Sequence, residues 1–455
     1  MSRPSAARLA VAAVLLGVGV AQWELLTRML GTAPFFDEGT YLLSVADLRH
    51  GFALGEDVFA SQPPLFYDLL RGLANVFDPT LRGLRQATTA TTLLVIPASF
   101  LLGRVLVGRA AGLVAAAMLT IAPPFPLYGA RIFADTPSLA IATVGVALAG
   151  VGAVEAAGAV LAVAVLVKLS AVTAVPAALA LCLAVRVPVR RLAFGLVAAA
   201  AVLGVVALAH LSGLGEIWRD AVSYHTEASG SSVSLANGHE LASFFNPRTP
   251  FFWLLLAGAA GTVVAPWRVR ALWLWPAVAV LFVATHHPLH ENHLLTLPFA
   301  FAPAVGVGIG AGIARLGRLA APALACVALV AATGYVQQAR NLDDQRVAVD
   351  ERLVRAADAV RAATRPGDFV VSDQPYVPVL AGRLVPPDLV DTANLRFETG
   401  FLDVDRIEAA VRRYDVRVVV AGRSFLARPV LVRWLRQRSA SVRDLDGIRV
   451  YRLRP

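Results

Sequence analysis

The sequence predicts an α-helical protein that crosses a membrane many times and ends in a small α/β domain outside the cytoplasm. Of its 455 residues, 57% are hydrophobic and 16% are charged, whereas soluble proteins carry roughly 25% charged residues. The mean hydropathy is +0.65. Apolar runs, most of them roughly 16 to 22 residues long and so suited to membrane helices, recur from the N-terminus to about Gln337 and then stop.

The apolar runs predict the spans, and the short arginine-rich loops between them predict their orientation. Because basic loops stay in the cytoplasm, the N-terminus is predicted inside and the tail from about residue 338 outside the plasma membrane. The first run lacks a clean cleavage site, so we expect a retained anchor and not a signal peptide. We predict about eleven spans, at residues 9–30, 87–107, 110–128, 135–154, 157–168, 170–185, 192–211, 250–265, 271–286, 294–314 and 319–337.

One stretch of this assignment has two interpretations. Residues 157–185 could form one long helix, which would invert the orientation of everything downstream. Two short helices that meet near Lys168 keep the basic loops on one side and place the Lys168 ammonium at the outer face instead of in hydrocarbon. We therefore predict two helices. The outer segments are then 31–86, 129–134, 212–249 and 287–293.

Neither the basic charge nor the cysteines indicate a further partner. The net charge is +10, but much of the arginine lies in the loops between spans, so the lipid bilayer explains it and no nucleic acid is expected. The two cysteines, Cys182 and Cys326, both lie in apolar runs. They are typical of small core residues and do not predict metal ligands or a disulfide.

The tail is predicted as a separate α/β domain. The chain then divides into a membrane domain, residues 1–337 with the first outer loop, and a soluble domain, residues 338–455. No glycine-rich phosphate loop occurs in it, so no nucleotide is expected. The predicted tail elements are a helix at 341–363, a strand at 369–372, a helix at 403–414, a strand at 416–420, a helix at 428–437 and a strand at 447–453.

An acidic pair, Asp37 and Glu38, opens the first outer loop directly after the first span. Carboxylates at the mouth of a bilayer are costly to desolvate and need a reason to be there. One interpretation is catalysis, because a partly desolvated carboxylate can act as a general base. The other is helix capping, because Asp is a favoured N-cap and Glu suits a first helical turn. The residues alone favour neither.

The same loop contains a proline-rich motif, Gln62-Pro-Pro-Leu-Phe-Tyr67. The two prolines fix two φ angles, and the aromatic pair that follows suits the membrane interface. The motif is therefore either part of a site at the membrane surface or a rigid turn between interfacial helices.

Arg131 and Asp135 lie four residues apart at the outer ends of the third and fourth predicted spans. They could pair across one helical turn. At an outer membrane face, an arginine is also suited to bind a lipid phosphate through its forked donors. Both interpretations remain open at this point.

Four of the eight histidines lie within residues 286–293. His290 and His293 share a helical face, which superficially resembles a zinc site. The spacing is i, i+3, however, and not that of the His-Glu-x-x-His zinc motif. Phosphate binding by histidines at the start of a span is the preferred interpretation. All of these polar groups lie on the predicted outer face.

Together these features resemble the GT-C superfamily of integral-membrane glycosyltransferases, specifically the protein O-mannosyltransferases and aminoarabinose transferases. The resemblance covers the membrane region and the position of the tail. The family's Pro-Pro motif is usually preceded by Lys, where this chain has Gln62. The resemblance rests on Asp37-Glu38, on Pro-Pro-Leu-Phe-Tyr67, on Arg131 and Asp135, on the Lys168 turn, and on His290 to His293.

The resemblance implies an enzyme that moves a sugar from a polyprenyl-phosphate donor to an acceptor hydroxyl with inversion. Asp37 would be the catalytic base with Glu38 beside it. Some members hold a divalent metal near this acidic pair and others do not, so metal dependence is left open. Two further groups of residues are implied. Donor-phosphate binding is assigned to Arg131, Lys168, His290, His293 and Gln62. Acceptor or sugar binding is assigned to Tyr41, Tyr67 and Asp135.

Two other functions fit parts of the sequence. A transporter or lipid flippase would also carry polar groups within its spans, but it usually shows inverted repeats and polar residues near the bilayer midplane. Here no repeat is visible and the ionisable residues lie at the outer face. An inactive relative is the second alternative, because of Gln62. The sugar and the class of acceptor are not predicted.

Overall fold

The computed structural model describes residues 6–229 and 237–454. The chain divides into two compact units. The first contains Met1–Leu30, Arg85–Val206 and Ser232–Arg346, and the second contains Gly31–Leu84, Ala207–Ser231 and Val347–Pro455. The first outer loop is therefore grouped with the tail, whereas the sequence-based division placed it with the spans.

The apolar helices coincide with the predicted spans. Each predicted span overlaps one of the helices below, so the chain is a multi-pass helical membrane protein, while the number of crossings and the orientation remain predictions. Within the described residues, six helices are long and apolar enough to cross a membrane: Ala6–Thr27, Leu81–Leu106, Val189–Ala209, Trp267–Thr285, Glu291–Ile313 and Gly317–Asp344. Five shorter ones are Arg109–Ile121, Asp135–Gly150, Val154–Val167, Leu169–Ala184 and Pro250–Val263.

Several of these helices are interrupted. One break is at Lys168, where the backbone is extended (φ −156°, ψ 131°) between two helices. The helix break predicted near Lys168 is therefore present. The separate segments are Leu81–Thr92 and Val95–Leu106, Leu169–Ala174 and Val175–Ala184, Trp267–Leu272 and Leu274–Thr285, Glu291–Leu295 and Thr296–Ile313, and Gly317–Leu319 and Ala320–Asp344, with short helices at Phe125–Tyr128 and Gly238–Phe244.

The helix Thr296–Ile313 is almost entirely buried inside the first unit. Its glycines allow close helix–helix approach, as small residues do in membrane proteins. A Cβ atom at Gly308 would lie 2.2 Å from the carbonyl oxygen of Gly258, and one at Gly306 would lie 2.3 Å from the Cα atom of Ala115. This helix therefore packs directly against Pro250–Val263 and Arg109–Ile121.

The second unit contains a four-stranded sheet, formed by β1 (Val370–Ser372), β2 (Val418–Ala421), β3 (Ser439–Leu445) and β4 (Ile448–Leu453) in the order β1-β2-β4-β3. β1 and β2 are parallel, with Val371 opposite Val419, and the other pairs are antiparallel. Side chains of alternate residues pack into separate apolar clusters, because successive strand residues point to opposite faces. Val371 and Val419 belong to one cluster, and Val370 and Val418 belong to the other.

The second unit also contains helices, some of which connect and cover this sheet. The predicted helix at 341–363 is two helices, because the last apolar helix ends at Asp344 and a new one begins after Asp350, whose carboxylate caps it by accepting the Arg352 N–H at 2.8 Å. The helices are Phe36–Arg49, Pro64–Val76, Leu214–Trp218, Arg219–Ser223, Tyr224–Ser229, Glu351–Ala363, Tyr376–Ala381, Pro387–Leu389, Asn394–Glu398, Val404–Arg413, Arg423–Leu426 and Pro429–Arg438.

Candidate active site

The acidic pair lies in the first turn of the helix Phe36–Arg49, where a carboxylate is favoured by the helix dipole. Glu38 is fully buried, and its Oε2 accepts the backbone N–H of Phe35 at 3.0 Å. This contact is the capping interaction that was one of the two sequence interpretations. Asp37 is partly exposed. The two neighbouring carboxylates therefore differ, because Glu38 holds the helix start and Asp37 faces accessible space.

Gly39 fixes the position of this helix within the second unit. A Cβ atom at Gly39 would lie 2.9 Å from the backbone nitrogen of Tyr376. The backbone of the Asp37 helix thus packs directly on the start of the helix Tyr376–Ala381. A carboxylate on a closely packed helix is held in place better than one on an unsupported loop, which suits a catalytic group.

The proline-rich motif forms a rigid, buried turn. Pro64 is the first residue of the helix Pro64–Val76, and Gln62 is only 5% exposed. The ring of Tyr41 packs edge-on against Phe66 at 4.7 Å and lies 6.3 Å from the ring of Tyr67. Tyr41 and Tyr67 are buried. In this structure they support the loop, and their contact with an acceptor or sugar remains a prediction.

A buried arginine, Arg396, lies beneath the same loop and was not predicted. Its guanidinium carbon lies 3.7 Å from the centre of the Phe59 ring, and its Nη1 donates to the carbonyl oxygens of Asp388 and Asp391 at 2.7 and 2.6 Å. Burial raises the pKa of the Asp391 carboxyl. Arg396 thereby joins the tail to the loop that carries Phe59 and the proline-rich motif.

The segment before the undescribed residues 230–236 also supports this loop. Asp220 is buried and its Oδ2 accepts the Ala60 N–H at 3.2 Å. Burial raises the pKa of the Asp220 carboxyl. The His225 Nε2 lies 2.8 Å from the carbonyl oxygen of Ser61. The backbone immediately before Gln62 is therefore held by two side chains that no local motif indicated.

Asp135 is the centre of a polar cluster in the first unit. It is fully buried, and its two carboxylate oxygens accept the Ser170 hydroxyl at 3.0 Å and the Asn292 side-chain amide at 2.8 Å. The Lys168 ammonium lies 3.9 Å from Asp135 Oδ2, and Lys168 is 8% exposed. The helix break at Lys168 therefore brings a lysine to this carboxylate, so the partners of Asp135 extend well beyond one helical turn.

The histidine rings pack against one another, edge-on or tilted, beside this cluster. The ring centres of His286 and His293 are 4.4 Å apart, those of His290 and His293 are 5.6 Å apart, and His293 is buried. His293 Nδ1 accepts the His290 N–H at 3.3 Å. Burial lowers the pKa of the His290 imidazole. In the described part of the chain, no three His, Cys, Asp or Glu side chains are arranged to hold a metal ion, and the zinc interpretation gains no support.

Arg131 is also buried, on the segment between the helices Phe125–Tyr128 and Asp135–Gly150. The structure thus groups Asp135 and Lys168 with Asn292, the neighbour of His293, in the first unit. It places Asp37, Gln62 and the two tyrosines in the second unit.

Comparisons with known proteins identify the fold. No protein-family model matches the sequence, and no curated protein is significantly similar to it. The structure of ArnT from Cupriavidus metallidurans in the apo state matches with a TM-score of 0.73 and 16% identity over 98% of both chains. The structure of the same protein bound to undecaprenyl phosphate matches with a TM-score of 0.72 and 15% identity over 98% of both chains.

A second solved structure shares this fold. The archaeal oligosaccharyltransferase AglB from Archaeoglobus fulgidus, in complex with an inhibitory peptide and a dolichol-phosphate, matches with a TM-score of 0.59 and 14% identity over 91% of this chain and 69% of that chain. The chain therefore has the fold expected from the sequence resemblance, that of the GT-C glycosyltransferases ArnT and AglB.

Proposed function

We propose that the protein is a glycosyltransferase of the plasma membrane that moves a sugar from a polyprenyl-phosphate carrier to an acceptor hydroxyl at the outer face. The observation that carries this proposal is Asp37, a partly exposed carboxylate on a closely packed helix, in a fold that matches ArnT over 98% of the chain. Solved structures with this fold hold undecaprenyl phosphate or dolichol-phosphate, which supports the same class of donor here.

Asp37 acts as the general base in the proposed mechanism. It accepts the proton of the acceptor hydroxyl while the hydroxyl oxygen attacks C1 of the sugar. The new bond joins that oxygen to C1, and the bond from C1 to the phosphate oxygen breaks on the opposite face, so the configuration at C1 is inverted. The electron pair of the broken bond leaves with the polyprenyl phosphate.

The leaving phosphate needs positive charge and hydrogen-bond donors nearby, because negative charge grows on it as the bond breaks. We assign this role to Lys168 and Arg131, with His290 and His293 as further donors. Gln62 contributes a neutral amide where the family usually has Lys. Asp135, already bonded to Ser170 and Asn292, would position the Lys168 ammonium rather than contact the sugar.

No nucleotide is needed, since the carrier phosphate is itself the leaving group. The residues present do not fit a metal at the acidic pair, because Glu38 is buried and its carboxylate accepts the Phe35 N–H. No step of the proposed mechanism runs through a metal.

The decisive experiment is transfer by the full-length protein in liposomes, supplied with radiolabelled polyprenyl-phosphate sugars and a cell-envelope acceptor extract. Asp37→Asn should reduce transfer at least about 100-fold, the smaller of the effects typical of a positioned base. Asp405→Asn is the matched control, because Asp405 is an exposed carboxylate in the first turn of another helix.

Transfer is also measured with and without a chelator, and the metal-free mechanism predicts equal rates. Movement of the labelled donor across the bilayer without transfer to an acceptor would contradict the proposal and support the transporter alternative. More than about a tenth of the activity remaining in Asp37→Asn would contradict the role of Asp37 as base.

A further inference from the structure

A cavity of about 550 Å³ opens where the loops after β1 and β2 meet. Crevices at the carboxyl ends of parallel strands are common ligand sites in α/β sheets. Its lining includes Phe36, Gln374, Asn394, Arg423, Ser424 and Arg428. Phe36 is the first residue of the helix that carries Asp37. The cavity wall therefore includes the residue next to the proposed base.

Asp373 gives the cavity a rigid floor. It is 1% exposed, and its carboxylate accepts the backbone N–H groups of Gly422 and of Phe425, the latter at 2.7 Å. A Cβ atom at Gly422 would lie 2.3 Å from the side-chain nitrogen of Gln374, so the two loops are in close contact. The carboxylate of Asp373 binds these amides and forms no ion pair with Arg423 or Arg428.

Two guanidinium groups face this cavity without a carboxylate to neutralise them. Among the described residues, no carboxylate oxygen lies within 4.0 Å of the guanidinium of Arg423 or of Arg428, whereas several other arginines of the tail form such pairs. The Nη2 of Arg428 donates to the Asn394 side-chain oxygen at 2.7 Å, and its guanidinium lies over the Phe397 ring at 4.7 Å. Arg428 is thus held in place while most of its donors remain available.

The Ser424 hydroxyl is a third donor in the same wall. Its Oγ atom is buried and has no hydrogen-bond partner within residues 6–229 and 237–454. Buried polar groups are usually paired, so this hydroxyl, which directly follows Arg423 in the chain and belongs to the cavity lining, is a candidate partner for a ligand with acceptor oxygens. Arginine is the side chain best suited to bind phosphate or carboxylate oxygens, through its planar set of donors.

We infer that this cavity binds an oxyanion, a phosphate or a carboxylate, carried by the acceptor, so that the enzyme's acceptor is an anionic molecule. This inference rests on the proposed function, since it is the acceptor that must present its hydroxyl to Asp37. Binding of its anionic group beside Phe36 holds the acceptor next to the base and selects against neutral molecules.

The binding site is tested directly by arginine modification with phenylglyoxal, followed by peptide mapping with mass spectrometry. The full-length protein is placed in phosphatidylcholine liposomes, and modification is compared with and without glycerol phosphate, with and without acetate, and with and without phosphatidic acid in the membrane. Arg423 and Arg428 should be protected at least several-fold. Arg433 and Arg436, exposed on the helix Pro429–Arg438 outside the cavity, are the matched controls.

The arms of this experiment distinguish the sources of the oxyanion. Protection by glycerol phosphate or acetate indicates a soluble anionic acceptor, and protection only by phosphatidic acid indicates a lipid-borne one. Absence of protection in every arm, or equal protection of Arg433 and Arg436, would overturn the inference. None of these readouts requires transfer to occur, so they remain informative if the proposed function is wrong.

The kinetic test uses Arg423→Gln and Arg428→Gln. Each should raise the KM for the acceptor about tenfold, as expected for loss of a charge-assisted hydrogen bond, and leave the KM for the donor unchanged. Arg423 has no side-chain partner among the described residues, so Arg423→Gln keeps the fold even if Arg428→Gln perturbs it. Active enzyme with an unchanged acceptor KM in Arg423→Gln and in Arg428→Gln would refute the anionic acceptor and leave the transferase proposal intact.

Discussion

At the scale of single residues, Asp37 and Glu38 differ because of their surroundings. Their side chains have the same chemistry and are adjacent in sequence. Glu38 is buried and bonded to the Phe35 amide, so its removal leaves a helix N-terminus without its acceptor. Asp37 is partly exposed and can meet a substrate. A substitution at each position is therefore expected to change a different measurable property.

We predict that Glu38→Ala lowers the free energy of unfolding by about 1 kcal/mol or more, the effect of a lost helix cap. The melting temperature in detergent measures this change, with Asp37→Asn as the comparison variant, whose melting temperature should stay within error of the original protein. A Glu38→Ala protein that melts normally but is inactive would contradict the capping role and indicate that Glu38 acts with Asp37 in catalysis.

Arg131 and Asp135 give a second prediction at this scale. Because Asp135 is bonded to Ser170 and Asn292 and lies beside Lys168, exchanging its charge would disrupt the cluster. We expect Arg131→Ala to raise the KM for the donor, and the double variant Arg131→Asp with Asp135→Arg to remain impaired. Kinetics with varied donor concentration measure both. Recovery in the double variant would indicate a simple ion pair and leave the donor phosphate without this partner.

The buried carboxyl of Asp47 leads us to predict that stability depends on pH. It is fully buried, its carboxylate oxygens have no hydrogen-bond partner in the described residues, and burial raises the pKa of Asp47 to about 8. The folded protein therefore keeps the proton while the unfolded chain, with a pKa near 3.8, loses it. Stability should fall as pH rises from about 4 to 8 and then level off.

Asp47→Asn removes the proton equilibrium and should flatten this dependence. The melting temperature is measured in detergent between pH 5 and 8, with Asp405→Asn as a control that changes an exposed carboxylate. At about 1.4 kcal/mol per pKa unit, the original protein loses on the order of 5 kcal/mol at most of its free energy of unfolding by pH 8. Asp47→Asn avoids this loss. Parallel curves for the original protein and Asp47→Asn would show that Asp47 does not cause the dependence.

Residues with a local signal could be found from the sequence, and residues that act across the chain could not. Asp37 follows the first span directly, and Lys168 would otherwise lie in hydrocarbon, so each had a physical reason to be noticed. Arg396 has no such signal, because its partner Phe59 is more than 300 positions away. Asp220 was missed for the same reason, since its partner Ala60 is 160 positions away.

At the scale of elements, the apolar helices were predictable because membrane spans require long apolar runs. Their boundaries differ from the prediction by three residues at the first helix, predicted at 9–30 and observed at Ala6–Thr27, and by seven at the last, predicted to end at 337 and observed to end at Asp344. β3 was missed because its sequence is polar and its five central residues are exposed. It is defined by pairing with β4, which no local pattern reports.

Glycine packing of the helix Thr296–Ile313 gives a prediction at this scale. Gly308→Leu should prevent folding, because even a Cβ atom would lie 2.2 Å from the Gly258 carbonyl oxygen. Gly204→Leu is the matched control, since Gly204 is also in an apolar helix and a Cβ atom there would have no neighbour within 4 Å. Yield of monodisperse protein after detergent extraction measures the difference. Normal yield of Gly308→Leu would contradict this packing.

At the scale of the whole molecule, the grouping of chain segments was the least predictable property. The sequence changes composition near residue 338, which suggested a boundary there. The second unit also includes Gly31–Leu84 and Ala207–Ser231, because contacts such as that of Asp220 with Ala60 join loops distant in sequence. Composition indicates which segments are polar, but it does not indicate which of these segments pack together.

The orientation of the whole chain gives the last prediction. Basic loops and apolar runs alternate so that about eleven crossings, an odd number, place the N-terminus in the cytoplasm and the tail outside. The helix break at Lys168 is what makes the number odd, because one uninterrupted helix over 157–185 would remove a crossing.

A C-terminal alkaline phosphatase fusion should therefore be active, and a C-terminal fluorescent-protein fusion should be dim. The same fusions at Arg186, after the second short helix, should report the cytoplasm. An inactive phosphatase with a bright fluorescent fusion at the C-terminus would mean that this region crosses the membrane once, and it would place the tail, with Arg423 and Arg428, on the cytoplasmic side.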